Sequence, residues 1–591
     1  MEEVVLKALP KDVEDFKIIT TQNYYYVDKT WFIKEFLDWK GAISIFTRPK
    51  QFGKSLFMSM LQYFFDSQYA DKKHVFEGLR IMEASEAYFQ HQNAYPVIKM
   101  TFKNVKGSTF ETALNGLMDE ITREYGRHEY LLKSEKLLQY EKENFKRLLK
   151  KRKIEGFPKE TREQHEQRVI RTSIDYLSAL QFISHCLYKH HGKKVIVLID
   201  DCDLPLEKAY FNDYYEPMID LIHGILSQGL KSNEAVDFAV LTGCLRVIKE
   251  SHSSGFNNYR IFSILSNQYA EYIGFTSVEV QEMLDYYGLS HKYNEMCNWF
   301  NGYLFGEKTI YNPWSCIVYL IKMLANNKYF VKLCWENSAS NIIVKELINA
   351  NDEARDELED LIAGGTITKL INEGLIHANI LKNQNNMWNF LYFMGYLALV
   401  KKMQSGVMTY FELKIPNKEF LSIYKTQIRD WFDERVKETD RTTLYRAVLE
   451  QDVTSFEDEV AELLQKSISY MDSQENFYHG FLTGILGGLE GYRVISNRET
   501  GKRRGDIFLK PYRSRKRVVI IKVKVVKEAI QMESECDKAL TQIKEKEYED
   551  ELRQEGYTDI ISYGIAFYRK DCLIKADEHT ATEQHEKFVA I

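Results

Sequence analysis

The stretch "ISIFTRPKQFGKSLF" at 43–57 sets Gly53, Lys54 and Ser55 in the order that closes a phosphate-binding loop, G-x-x-x-x-G-K-[ST], with Arg48 where the first glycine belongs. In such a loop the backbone N–H groups cradle phosphates, Lys54 would reach the β- and γ-phosphates of ATP, and Ser55 would ligate Mg²⁺. The chemistry also needs carboxylates at a neighbouring strand end, and "KKVIVLIDDCD" at 193–203 offers them. Asp200 would hold the Mg²⁺ shell, and Asp201 would orient or deprotonate the attacking water. A third apolar run, "VDFAVLTG" at 236–243, ends at Thr242, placed to sense the γ-phosphate, and Arg246 follows to neutralise transition-state charge. The competing readings are structural: acids after a strand also make helix caps and solvated turns, and an arginine there also makes a surface ion pair.

These residues work only if a strand, a turn and a helix hold them. "AISIF" reads as the strand, "TRPKQFG" as the turn, and "KSLFMSMLQYFF" as an apolar-periodic helix whose N-terminus faces the phosphate. Residues 1–275 alternate β-rich runs with amphipathic stretches, which predicts an α/β domain with a mostly parallel sheet and helices on both faces. Residues 276–465 read as mainly helical. Residues 466–591 return to a small α/β domain with strands in "YRVISNRE", "GDIFLK", "RVVIIKVKV" and "IISYGIAFY". A charged helical insert at 131–169 carries the densest basic cluster, Lys146, Arg147, Lys150, Lys151, Arg152 and Lys153. It could track nucleic-acid phosphates, but a solvated helix with i,i+4 ion pairs is the preferred reading.

The chain has 591 residues, 45% of them hydrophobic and 28% charged, the composition of a folded protein of several domains. With 9 prolines and 30 glycines there is little material for long linkers, so the domains should abut. A net charge of −6 argues against a chain basic throughout while leaving room for a local basic groove. The acidic N-terminus has no apolar signal core, and the longest apolar run, "FLYFMGYLALV" at 390–400, is about half a membrane span and reads as a buried helix or strand. Eight cysteines lie scattered without a C-x-x-C pair. The expectation is a cytoplasmic protein with reduced thiols, no structural zinc and no membrane partner.

"YYYVDKTWFIKEFL", "TRPKQFGKSLFMSMLQYFF", "VIVLIDDCDLPL" and "LTGCLRVIKESHSSGFNNYRIFSIL" together resemble the AAA-ATPase-like proteins widespread in bacteria. The resemblance continues through "YIGFTSVEV", "WFNGYLFG", "IYNPWS" and "LYFMGYLALV" and covers most of the chain. It implies that Arg48 is a family trait of a working variant loop, whose typical form is TRPRRFGKS, so that Arg48, Gly53, Lys54 and Ser55 are the expected ATP-binding residues. It also implies Asp-Glu-Tyr-Asp where this chain has Asp200, Asp201, Cys202 and Asp203. Asp201 is one methylene shorter than that glutamate, so ATP binding should survive while hydrolysis slows.

The same resemblance implies a C-terminal domain of the PD-(D/E)xK nuclease type, in which two acids and a lysine surround Mg²⁺. Here it places Asp506 on one strand and Lys522 and Lys524 on the next, with Glu475 on a preceding helix and Gln542 and Tyr548 on a following one. Lys522 stands where the central acid belongs and would repel a divalent ion, leaving Asp506 as a lone metal ligand unless Glu475 or Glu528 replaces the lost one. The expected protein is an ATP-binding, ATP-hydrolysing P-loop protein coupled to a degenerate nuclease-fold module that binds DNA or RNA. Its alternatives are an ATP-regulated, metal-dependent DNA nuclease and a nucleotide-dependent switch for a protein partner; a homo-oligomer fits each.

Overall fold

The computed structural model describes residues 6–150, 161–247, 259–325, 343–347, 352–406, 408–427, 441–465, 475–496, 506–512, 517–546 and 548–577. Contacts divide the chain into two compact units, Met1–Ile343 with Thr366–Ile423, and Val344–Gly365 with Tyr424–Ile591.

The first unit is built on five parallel strands: β1 (Ile43–Thr47), β2 (Val97–Thr101), β3 (Val195–Asp200), β4 (Val236–Gly243) and β5 (Tyr259–Phe262), in the order β2-β3-β4-β1-β5. Every residue of β1 and β3 is buried, which explains why these strands read as unbroken apolar runs: helices cover both faces of a parallel sheet. Ile45, Val197 and Leu241 from three adjacent strands share one core cluster with Leu117, Ile183 and Leu226 from the covering helices. The order puts β1 between β4 and β5 and sets the ends of β1, β3 and β4 side by side, so the loops after them converge.

Residues 276–343 and 366–423 join this unit, and they are not helical alone. They complete two small antiparallel sheets, one of β6 (Phe275–Thr276), β7 (Tyr303–Phe305) and β8 (Lys308–Tyr311), the other of β9 (Ile367–Leu370), β10 (Ala398–Ser405) and β11 (Met408–Lys414). Gly395, at φ +85°, allows close approach to the loop after β1: an added Cβ would come within 3.1 Å of the Pro49 side chain. The apolar run at 390–400 ends one buried helix, Gln384–Phe393, and begins β10.

The second unit centres on five strands, β12 (Tyr492–Ser496), β13 (Asp506–Pro511), β14 (Val518–Val525), β15 (Ile560–Tyr568) and β16 (Asp571–Ala576), in sequential order. Only β14 and β15 run parallel. The helix Met532–Glu545 makes the crossover between them, as a parallel pair requires. Ile507, Ile521, Val523 and Tyr563 pack beneath the sheet with Tyr478 and Leu482. Among the described residues no helix is long and apolar enough to cross a membrane. Lys146 and Arg147 lie on the helix Gln139–Leu149, with Arg147 3.4 Å from Asp175; Lys151, Arg152 and Lys153 lie outside the described residues.

Candidate functional site

At the end of β1 the chain turns through Arg48–Phe52 and enters the helix Lys54–Phe65, whose N-cap Gly53 has φ +91°. That left-handed conformation is cheap only for glycine, and it aims the first N–H groups of the helix into the cleft. Ser55 donates its hydroxyl to Asp200 Oδ2 at 2.6 Å, and Thr242, buried at the end of β4, donates to Asp200 Oδ1. Asp200 is 3% exposed, and both of these side-chain donors are neutral. Thr242 thus orients the carboxylate from behind, and its oxygen also accepts the Asp201 N–H at 3.3 Å.

Lys54 sits inside its own loop, with Nζ 3.1 Å from the Pro49 carbonyl, 3.3 Å from the Arg48 carbonyl and 3.8 Å from Asp201 Oδ1. Burial pulls its ammonium down, but Cys244 and the carboxylates Asp201, Asp203 and Asp200 outweigh that and hold it above its ordinary value. Asp201 has φ +50°, a region where aspartate is tolerated better than longer side chains. Burial, aided by Asp200 and Asp203 and opposed by Lys54, pushes its carboxyl up to about 6. Asp203 is locked by the N–H groups of Cys244 and Leu245 at 2.9 and 2.7 Å, which fixes the loop after β4 against the loop after β3. Arg246 lies beyond that loop, 3.2 Å from Glu373.

Arg48 does not face the cleft. Its guanidinium is fully buried and donates to the carbonyls of Thr47 at 2.9 Å, Phe262 at 2.8 Å and Tyr269 at 3.2 Å, with its carbon 5.2 Å from the Phe305 ring centre. Its backbone N–H is taken as well, by the Gly243 carbonyl at 2.9 Å. The expected direct contact with nucleotide is replaced by a strap that ties the loop to β5 from behind. Burial lowers the guanidinium to about 9, so it stays charged at neutral pH.

The cleft opens into a cavity of about 580 Å³, within the usual range for small-molecule sites. Gly53, Lys54, Ser55, Asp201 and Asp203 form its polar floor, and Pro10, Tyr25, Phe275 and Trp314 belong to its apolar wall. Sequence reading missed that wall because its members lie some 300 positions apart. It also missed Lys50, which lines the cavity and pairs with buried Glu207 at 2.9 Å. Mg²⁺ suits the oxygen pair of Ser55 and Asp200, since it takes one or two protein oxygens and completes its shell with phosphate and water.

In the second unit the antiparallel register sets Asp506 directly opposite Lys522. Lys522 Nζ lies 2.5 Å from Asp506 Oδ1 and Lys546 Nζ 2.5 Å from Oδ2, while the Tyr548 hydroxyl donates to Oδ2 at 2.7 Å. Burial works against the Asp506 charge, yet these three donors hold its carboxyl below the ordinary range. Lys524 follows on the same face of β14, half-buried and without an ion pair among the described residues. Gln542 lies on the helix Met532–Glu545, whose C-cap is Lys546. Glu528 is exposed past the end of β14, and the Glu475 side chain lies outside the described residues. Sequence reading missed Lys546; the signal was its place two residues before Tyr548, just past the helix that carries Gln542. A divalent cation does not fit here, because both carboxylate oxygens already meet an ammonium.

Residues 10–253 match the family model described as predicted AAA-ATPase, and residues 473–577 match that of the PD-(D/E)XK nuclease superfamily. A protein of Azotobacter chroococcum mcd 1, described as an uncharacterized protein in the vnfD 5′ region, is 24% identical over 417 residues, 70% of this chain and 68% of its own length. A Walker-type ATPase of Pyrococcus abyssi superposes with a TM-score of 0.33 at 11% identity, over 72% of this chain and 99% of that one. With its parallel sheet and GKS loop, the segment 10–253 is an AAA-ATPase-like domain, and the segment 473–577, with its mixed sheet and Asp506, is a domain of the PD-(D/E)XK nuclease superfamily.

Proposed function

We propose that this chain binds Mg²⁺-ATP at the 48–55 loop and hydrolyses it slowly, and that its C-terminal module engages nucleic acid without cutting it. The observation that carries the ATP reading is Asp200: a buried carboxylate held by Ser55 and Thr242, two neutral hydroxyls, at the mouth of a GKS loop. Among the described residues no ammonium or guanidinium hydrogen-bonds to it, which leaves it able to meet a cation. Gly53 and the helix N-terminus bind phosphate, Lys54 moves from its own loop carbonyls onto the β- and γ-phosphates, and Ser55 with Asp200 would hold Mg²⁺. Once bound, the ion neutralises charge on the transferred phosphoryl group. Asp201 takes the proton of the attacking water, and its short side chain on a left-handed backbone keeps the reaction slow. Arg246 contributes only if it leaves Glu373.

The non-cutting reading rests on the two ammoniums at Asp506. The rival, a metal-dependent nuclease regulated by ATP, requires Asp506 to release both. The test is calorimetry with ATP and Mg²⁺ alongside plasmid cleavage with Mg²⁺ or Mn²⁺. We expect ATP binding that Lys54→Ala abolishes, and intact plasmid. Unchanged affinity in Lys54→Ala would overturn the loop assignment; cleavage that Asp506→Ala abolishes would overturn the non-cutting reading.

A further inference from the structure

We propose that Asp506, Lys522, Lys524 and Lys546 form a phosphodiester-binding site that needs no divalent cation, with the Lys522 ammonium supplying the net charge that an acid and its metal would bring together. The proposal rests on the reading that the C-terminal module does not cut, and it names what that module holds and how.

The argument is one of charge at a fixed place. In a metal site, an acid at position 522 together with a divalent cation would contribute one net positive charge beside Asp506. Lys522 alone contributes the same charge, and it is fixed in place: its side chain is 6% exposed and lies directly across the ladder from Asp506. The cluster therefore carries beside Asp506 the same net charge that the metallated version would carry. Lys546, with 23% of its side chain exposed, and the half-buried Lys524 flank it and can reach phosphate oxygens. Three ammoniums against one carboxylate leave an excess of positive charge, which favours an anion over a cation at this spot.

An ammonium differs from a metal in one respect that decides the outcome. It has no open coordination position, so it cannot bind a water and lower that water's pKa. The site keeps the attraction for the backbone and loses the means of cleaving it. Because the contacts go to phosphate, binding should be indifferent to base sequence and should weaken as salt rises.

The experiment is fluorescence anisotropy on the full chain with labelled single-stranded DNA and, separately, RNA, in EDTA and in Mg²⁺, with inorganic phosphate as competitor and with plasmid cleavage run in parallel. The expected result is equal affinity in EDTA and Mg²⁺, and a loss of about tenfold or more in Lys524→Ala/Lys546→Ala. Lys538→Ala, which removes an exposed lysine of the helix Met532–Glu545 paired with Glu535 at 2.5 Å, should bind as wild type. Lys522→Glu should lose binding in EDTA and recover it with Mg²⁺ or Mn²⁺; if that variant does not fold, the double variant decides. Binding of the wild type that requires a divalent ion, equal binding by the double variant, or no binding at all would each overturn the site while leaving the non-cutting reading intact. Cleavage by the wild type would overturn both. Competition by inorganic phosphate at equal concentration of phosphate groups would assign the site to free phosphate and overturn the polymer.

Discussion

Asp200 and Asp506 are both aspartates at a strand terminus, both 3% exposed, and both fully engaged through their two carboxylate oxygens. They differ in what engages them. Asp200 receives the hydroxyls of Ser55 and Thr242, which satisfy its lone pairs and leave its charge in place. Asp506 receives two ammoniums and a phenol, which satisfy its lone pairs and cancel its charge with one unit to spare. The lesson is that burial and hydrogen bonding do not reveal whether a carboxylate awaits a metal; the charge of its donors does. At an effective dielectric of about 20, a unit charge some 4 Å away is worth about 4 kcal/mol, enough to decide the matter.

The comparison breaks most sharply at Asp506→Asn. That change strips the countercharge from two ammoniums, one of them buried, and should destabilise the second unit by about 3–5 kcal/mol, read from denaturant unfolding. Lys522→Met removes one cation and leaves Lys546 to neutralise Asp506, so its cost should stay below about 2 kcal/mol. Equal costs for the two would show that Lys546 is not a real partner. Next in size is Asp200→Asn, which keeps the hydrogen-bonding shape and deletes the charge. It should lower the ATPase kcat by about 100-fold or more and abolish the Mg²⁺ dependence of ATP affinity, with protein stability little changed. If Mg²⁺ still raised ATP affinity in that variant, Asp200 would not be the cation's partner.

A subtler measure is pH. Asp201 must be ionised to accept a proton, and its carboxyl is pushed up to about 6, so kcat/KM for ATP should climb with pH through about 6 and level off above it. The inflection should vanish in Asp201→Asn along with most of the activity. A profile flat from pH 5 to pH 8 would remove Asp201 from the role of base. Smallest of all, Lys524→Ala should move the stability of the second unit by less than about 0.5 kcal/mol, since the side chain is half-exposed and has no ion pair among the described residues. A larger loss would mean that Lys524 holds the sheet together.

Much of the first site is legible in the chain because its parts are local. Gly53, Lys54 and Ser55 are consecutive, and Asp200 ends an apolar run that can only be a buried strand. The alternation of strand and helix in residues 1–275 likewise announces the parallel sheet, whose strands are buried on both faces. Arg48 was legible as a substitution but not as a strap, because its acceptors Phe262 and Tyr269 lie more than 200 residues downstream. The Lys50–Glu207 pair and the Pro10–Trp314 wall are hidden for the same reason. The small sheet of β6, β7 and β8 escaped because β6 and β7 are only two and three residues long, too short to display a period. In the second unit the pairing of Asp506 with Lys522 follows from two neighbouring strands. Lys546 comes from the C-cap of the crossover helix, and only Tyr548 two residues on marks it as a partner.

The strap formed by Arg48 bears on the thermodynamics of ligand capture. A loop opened by glycine samples many shapes and must be ordered by the phosphate it receives. Here the entry to the loop is fixed by three carbonyl contacts behind it and by the ring of Pro49, and the left-handed turns at Gln51 and Gly53 are already in place. On the proposed ATP reading, the shape that would grip phosphate exists before phosphate arrives, so less of the binding free energy would be consumed in ordering the chain and more of it would appear as affinity.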